Sequence, residues 1–133
     1  MRILFATSCK KTMHNKTIVE LSADLRAKKY SSEELTRAFM ARVEKFNPQL
    51  NALVTLTGEH ALSAARHADA QIANGTAGPL TGIPIVQKDI FCTLGVKTTC
   101  GSKMLDNFIA PDDATTVIKL KEAGTVMLGK ANM

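Results

Sequence analysis

The sequence predicts an α/β fold, in which N-terminal helices are followed by the first strands of a sheet and the helix that crosses between them. Three observations carry that reading. The stretch Gly78 to Asp89 opens with the turn residues Gly78, Pro79 and Gly82, runs apolar through Ile83, Pro84, Ile85 and Val86, and stops abruptly at Gln87-Lys88-Asp89. Alternate residues of a strand point to opposite faces, so Ile83 and Ile85 face one way and Pro84 and Val86 the other. A strand that is apolar on both sides is expected inside a sheet, covered above and below. A second apolar run, Thr125 to Leu128, follows Gly124. Between the two, Val117, Ile118 and Leu120 supply the apolar set of a helix, and a strand-helix-strand crossover of this kind is nearly always right-handed.

The elements follow in order. Residues 1–12 read as an extension or flexible tail ahead of the domain, which spans residues 13–133. Arg2 followed by Ile3-Leu4-Phe5-Ala6 is too short an apolar core for a secretion signal, and Lys10-Lys11 follows at once. Thr17 to Lys28 reads as a helix, with Ile18, Leu21, Ala23 and Leu25 on one side. Ser31 opens a second helix, and Glu34 three residues on completes a capping box. Leu35, Ala38, Phe39, Val43 and Phe46 share one face at helical spacing, and Asn47-Pro48 is expected to end the helix. Asn51 to Leu56 reads as a short strand. Glu59 to Ala73 is an alanine-rich helix with a thin stripe of Leu62, Ala65, Ala68 and Ile72, stopped by Asn74-Gly75. Pro84 donates no hydrogen bond and belongs near the start of its strand. Asp112 and Asp113 are expected to cap the crossover helix.

Ligands of open α/β sheets gather outside the carboxyl ends of strands. Lys88 is an amine carried to such an end by an apolar strand. Burial can lower a lysine pKa by up to ~3–5 units, and a desolvated lysine is able to take a proton from a hydroxyl and so activate a serine. The plain alternative is that Lys88 and Asp89 end a strand in water as a weak surface pair.

Gly82-Ile-Pro-Ile-Val-Gln-Lys88-Asp89 is followed by Thr98-Thr-Cys-Gly-Ser102, then Asp113-Ala-Thr-Thr-Val117, then Ala123-Gly124 leading to Gly129-Lys-Ala-Asn-Met133. In this order the motifs resemble the amidase signature family, from about Met13 to Met133. Within it the chain is most similar to the A-subunit branch of the amidotransferases that act on glutamyl-tRNA(Gln) and aspartyl-tRNA(Asn). The resemblance implies an incomplete amidase-signature fold with a mixed sheet. It implies a serine nucleophile, a bridging serine preceded by a cis peptide bond, and a lysine base, which Lys88 matches. Thr98, Thr99, Gly101 and Ser102 would help to shape the substrate pocket. The two serines belong to a glycine- and serine-rich segment beyond Met133, so the chain reads as a fragment or a shortened product and is expected to be inactive alone. The resemblance further implies glutamine as substrate, partner subunits of a heterotrimer, tRNA held mainly by a partner, and ATP and magnesium only in the partner subunit. Ser102 reads as a loop hydroxyl rather than a nucleophile.

Composition narrows the alternatives. The 133 residues are 45% hydrophobic, enough for a core, and aromatics are only 5% with no Trp. No apolar run approaches the ~18 residues of a membrane span. The net charge is +5, but Arg2, Lys10 and Lys11 stand in the first twelve residues, and the 17 bases less these three leave 14 against 12 acids. The remaining charges are interspersed, which argues against a nucleic-acid stripe in this segment. Cys9, Cys92 and Cys100, with His14, His60 and His67, have no metal-site spacing. A reducing, cytoplasmic setting fits them. Gly124-Thr-Val-Met-Leu-Gly129-Lys130-Ala131 nearly matches a phosphate-binding loop. Thr125 to Leu128 is strand material, though, and Ala131 offers magnesium no hydroxyl. Two other readings stand beside the glutaminase: a non-catalytic module whose helices dock a partner, and an amidase for another small amide.

Overall fold

The computed structural model describes residues 13–133; the extension expected over residues 1–12, and Cys9 with it, lies outside the described residues. After a 3-10 turn at Met13–Asn15 come helix α1 (Ile18–Arg26), helix α2 (Ser32–Leu50), strand β1 (Leu53–Leu56), helix α3 (Gly58–Ala73), strand β2 (Pro84–Lys88), helix α4 (Thr115–Glu122) and strand β3 (Val126–Ala131). The sheet order is β1-β3-β2. Strand β3 pairs antiparallel with β1 and parallel with β2. The fold is thus α/β with a mixed sheet, and the crossover through α4 joins two parallel neighbours, as the sequence predicts.

The helices begin where their side chains supply acceptors for orphan amides. Ser31 and Glu34 form the expected capping box at α2, and Thr17 and Glu20 form a second at α1. Asp69 of α3 reinforces the start of α2, accepting from the amides of Ser32 at 2.6 Å and Glu33 at 3.1 Å. The end of α2 differs from the expectation: Pro48 lies inside the helix, which runs on to Leu50. Asn51 supplies the left-handed stop instead, at φ 48°, and the Asn47 amide group brackets Leu53 through both its N–H and its carbonyl. Asp113 does not cap α4; Ala114 stands at the cap, and Asp113 accepts from the Leu94 amide at 2.8 Å and pairs with Lys121.

One core cluster joins Met13, Leu21, Leu25, Tyr30, Leu35 and Ile83; another packs Ala61 and Ala65 of α3 on Val126 and Leu128 of β3, with Phe39 and Met40 alongside. The apolar side expected for α1 is narrower than the sequence implies. Ile18 is 53% exposed and Ala23 is exposed, and Asp24 takes a buried place between Leu21 and Leu25. Its carboxylate is met by Lys16, Lys29 and Tyr30, which makes burial of the charge tolerable. In α4 only Val117 is buried, and Ile118 of the expected apolar set faces solvent.

The larger correction concerns β2. The sequence places this strand inside the sheet, but it is an edge strand, and Val86 is 45% exposed. The covered strand is β3, where Val126, Leu128, Gly129 and Lys130 are all buried. Apolar character on both faces reports the surroundings a strand is suited to. It does not say which neighbours are present. Strand β3 also runs three residues past the expected end at Leu128, through Gly129, because glycine there is a packing requirement: a Cβ on Gly129 would stand 2.3 Å from the Thr55 carbonyl oxygen of β1.

Candidate active site

Strand β2 ends in a tight turn, with the Phe91 amide donating to the Lys88 carbonyl at 3.1 Å. In-register pairing sets Lys88 opposite Ala131 and Gln87 opposite Lys130, and the Asp89 amide adds a last bond to the Ala131 carbonyl at 3.0 Å. Strand alternation sends Gln87 and Asp89 to one face and Lys88 to the other.

The face of Gln87 and Asp89 is a buried polar layer closed by residues 91–99. The carboxylate of Asp89, fully buried, accepts from both the amide and the hydroxyl of Thr99. Gln87 accepts from the Thr93 hydroxyl at 3.4 Å. Lys130 is 0% exposed and donates to the Phe91 carbonyl and to the Thr98 hydroxyl, the latter at 3.2 Å. Thr98 hands its own proton to the Val96 carbonyl at 3.3 Å. Burial pushes the Lys130 ammonium below the ordinary lysine range, and the nearby Asp89 carboxylate opposes that shift. Oδ1 of Asp89 is buried without a hydrogen-bond partner.

Lys88 itself is exposed, and no hydrogen bond joins it to a serine among the described residues. The expectation of an amine already stripped of water therefore does not hold in this chain, and the reason is the edge position of β2. Thr98 and Thr99 face inward, at 1% and 9% exposure, and are held by Lys130 and Asp89. Gly101 is exposed at φ 67°, and a Cβ there would stand 3.2 Å from the Met133 side chain. Ser102 caps a short 3-10 turn (Lys103–Leu105) by accepting from the Met104 amide, which is the loop role the sequence assigns it. The structure thus brings Thr98 and Thr99 beneath the turn that carries Lys88, and leaves Gly101 exposed and Ser102 half-buried beyond it.

Sequence reasoning missed the buried lysine. The same rule that singled out Lys88, an amine at the end of an apolar strand, applies to Lys130 once β3 is continued through Gly129. Its burial in a strand also leaves no glycine-rich loop free to wrap a phosphate. Cys92 and Cys100 are free thiols, half-buried at the two ends of the loop, and the three histidines are exposed. Among the described residues no helix is long and apolar enough to cross a membrane.

Residues 34–133 match the family model described as Amidase. The chain is 63% identical over 121 residues to the A-subunit of glutamyl-tRNA(Gln) amidotransferase from Alkalilimnicola ehrlichii, covering 91% of this chain and 25% of that protein. It is 60% identical over the same length to the corresponding A-subunit of Halorhodospira halophila, with the same coverage. Among solved structures, an amidase family protein from Bacillus anthracis superposes with a TM-score of 0.88 at 34% identity, over 100% of this chain and 27% of that one. The native peptide amidase of Stenotrophomonas maltophilia superposes with a TM-score of 0.83 at 35% identity, over 89% of this chain and 25% of that one. The chain spans about a quarter of the length of the curated relatives it matches. With the motif order of the sequence, the mixed sheet and these likenesses in agreement, the chain belongs to the amidase family.

Proposed function

We propose that this chain is the N-terminal part of a glutamine-hydrolysing amidase subunit. That subunit would supply ammonia for amidation of glutamyl-tRNA(Gln) and aspartyl-tRNA(Asn). The observation that carries the reading is the 63% identity to an amidotransferase A-subunit, against 35% to a peptide amidase. Lys88 is the base in this proposal. As a neutral amine it takes a proton from a bridging serine, which takes one from the nucleophilic serine as that oxygen attacks the amide carbon of glutamine. The proton returns along the same relay to the amide nitrogen, which leaves as ammonia, and water then attacks the acyl-serine ester, releasing glutamate and restoring the serine hydroxyl.

Both serines come from sequence other than the described residues. A hydrated ammonium cannot act as a base until its water is removed. The reading therefore needs Lys88 to be covered, and the unpaired edge of β2 is where further strands would do so. In this proposal Gly101 and Ser102 line the pocket near Lys88, and Thr98 and Thr99, buried on the opposite face, support its wall from beneath. Partner subunits hold the tRNA, ATP and magnesium, and the assembly works in the cytoplasm.

The test is a chimera in which residues 13–133 replace the matching quarter of the Alkalilimnicola ehrlichii A-subunit. In complex with its partners it should release ammonia from glutamine, and Lys88→Ala should abolish release. Turnover that survives Lys88→Ala removes the assigned base. Turnover of aryl amides in place of glutamine redirects the reading to another small-amide hydrolase.

A further inference from the structure

We propose that Lys130 is a positioning residue: with Asp89 it clamps both ends of the 91–99 loop and so fixes the turn from which Lys88 projects. The inference rests on the assignment of Lys88 as base.

Lys130 reaches across the end of β2 to the Phe91 carbonyl, and the Phe91 amide closes the turn on the Lys88 carbonyl at 3.1 Å. The ammonium therefore holds the far corner of the very turn that begins at Lys88. Its second bond, to the Thr98 hydroxyl at 3.2 Å, secures the other end of the loop. One residue further on, Thr99 is bound through its amide and hydroxyl by the Asp89 carboxylate. Two opposite charges on neighbouring strands thus grip residues 91, 98 and 99 from below. A buried ammonium is costly unless it is hydrogen-bonded, and an aliphatic side chain would fill this space more cheaply. A polar clamp here serves geometry. It holds the amine on the upper face and the threonine wall on the lower in one fixed relation, as a base that must meet a hydroxyl within ~2.6–3.2 Å requires.

The experiment has two arms. In the full 133-residue chain, amide exchange is followed at Leu94, Val96, Thr98 and Thr99, with the amides of α2 and α3 as the control for folding. Lys130→Met should speed loop exchange by at least about tenfold, the scale of losing even one of its two charge-assisted hydrogen bonds, with the helices unchanged. Thr98→Val removes the acceptor of Lys130 together with the hydroxyl's own bond to the Val96 carbonyl, and keeps the test decisive should Lys130→Met not fold; Thr98→Ser should restore slow exchange. Loop protection that survives both Lys130→Met and Thr98→Val in a folded chain overturns the clamp.

The second arm measures glutamine hydrolysis in the chimera. Lys130→Met should lower kcat with KM less changed. A core variant of equal stability loss, Leu35→Ala, should keep kcat per folded molecule. Equal kcat loss in both variants overturns the positioning role. A chimera inactive even with Lys130 intact, but with exchange responding as stated, discredits the glutaminase reading and leaves the clamp standing.

Discussion

Lys88 and Lys130 lie one step out of register on adjacent parallel strands, and their surroundings are opposite: the first is exposed, the second is sealed from solvent with two acceptors. A lysine without partners on an exposed edge contributes little to folding. Lys88→Ala in this chain should shift stability by less than about 0.5 kcal/mol. Lys130→Ala empties a buried site and strands two acceptors, and should cost roughly 3 kcal/mol. Paired thermal melts measure both. A large loss for Lys88→Ala would show that its side chain is buried after all.

Gly129 offers a sharper structural test. The obstacle to a Cβ is backbone, the Thr55 carbonyl at 2.3 Å, so no side-chain rotation relieves it. Strands β1 and β3 would have to part. Gly129→Ala is expected to cost roughly 3 kcal/mol, at the upper end of overpacking penalties. Urea denaturation of the variant reads the loss directly. A change below ~0.5 kcal/mol would mean that β1 does not pack where it is described.

This glycine also marks where the sequence misleads. Read along the chain, Gly129 looks like the end of a strand, and Lys130 like the start of a loop. Only the close approach of β1, far earlier in the chain, turns it into a strand interior position, and the 91–99 loop then covers the lysine beyond it. Local signals are legible where their cause is local: the Ser31–Glu34 box and the alanine-rich α3 need no distant partner. Strand β2 illustrates the opposite case. Its apolar faces are legible, but its edge position depends on which strands pair with it. The candidate base is legible as an amine at a strand end, and the layer that holds its turn is not, since Asp89, Thr98, Thr99 and Lys130 meet only through the sheet.

Asp24, the buried one among the carboxylates held low, contributes to the response to acid. Hydrogen bonds from Lys16 and Lys29 lead in holding its carboxyl at about 2, below the ordinary 3.8. The folded chain therefore keeps the charge where the unfolded chain has begun to protonate. The resulting stability is complete above about pH 4, the unfolded value, and is lost as pH falls through about 2. With Lys29 largely exposed, solvent screening trims the gain to about 1–2 kcal/mol. Asp24→Asn should remove that amount at neutral pH and flatten the stability curve over the acid window. Wild type and variant melting in parallel between pH 2 and 7 would exclude the carboxylate as the cause.

The free edge of β2 has a consequence for the chain in isolation. Its outer backbone groups pair with no strand among the described residues, and Val86, Ile90 and Phe91 are 45%, 49% and 37% exposed beside them. An unpaired apolar edge is a template for another strand, and edge charges are the usual protection. The chain should therefore self-associate as its concentration rises, in sedimentation velocity at neutral pH. Val86→Lys places a charge on the exposed side of the strand without touching Gln87, Asp89 or Lys130, and should shift the distribution toward monomer. Monomeric behaviour of the unmodified chain across a hundredfold concentration range would argue that the edge is covered.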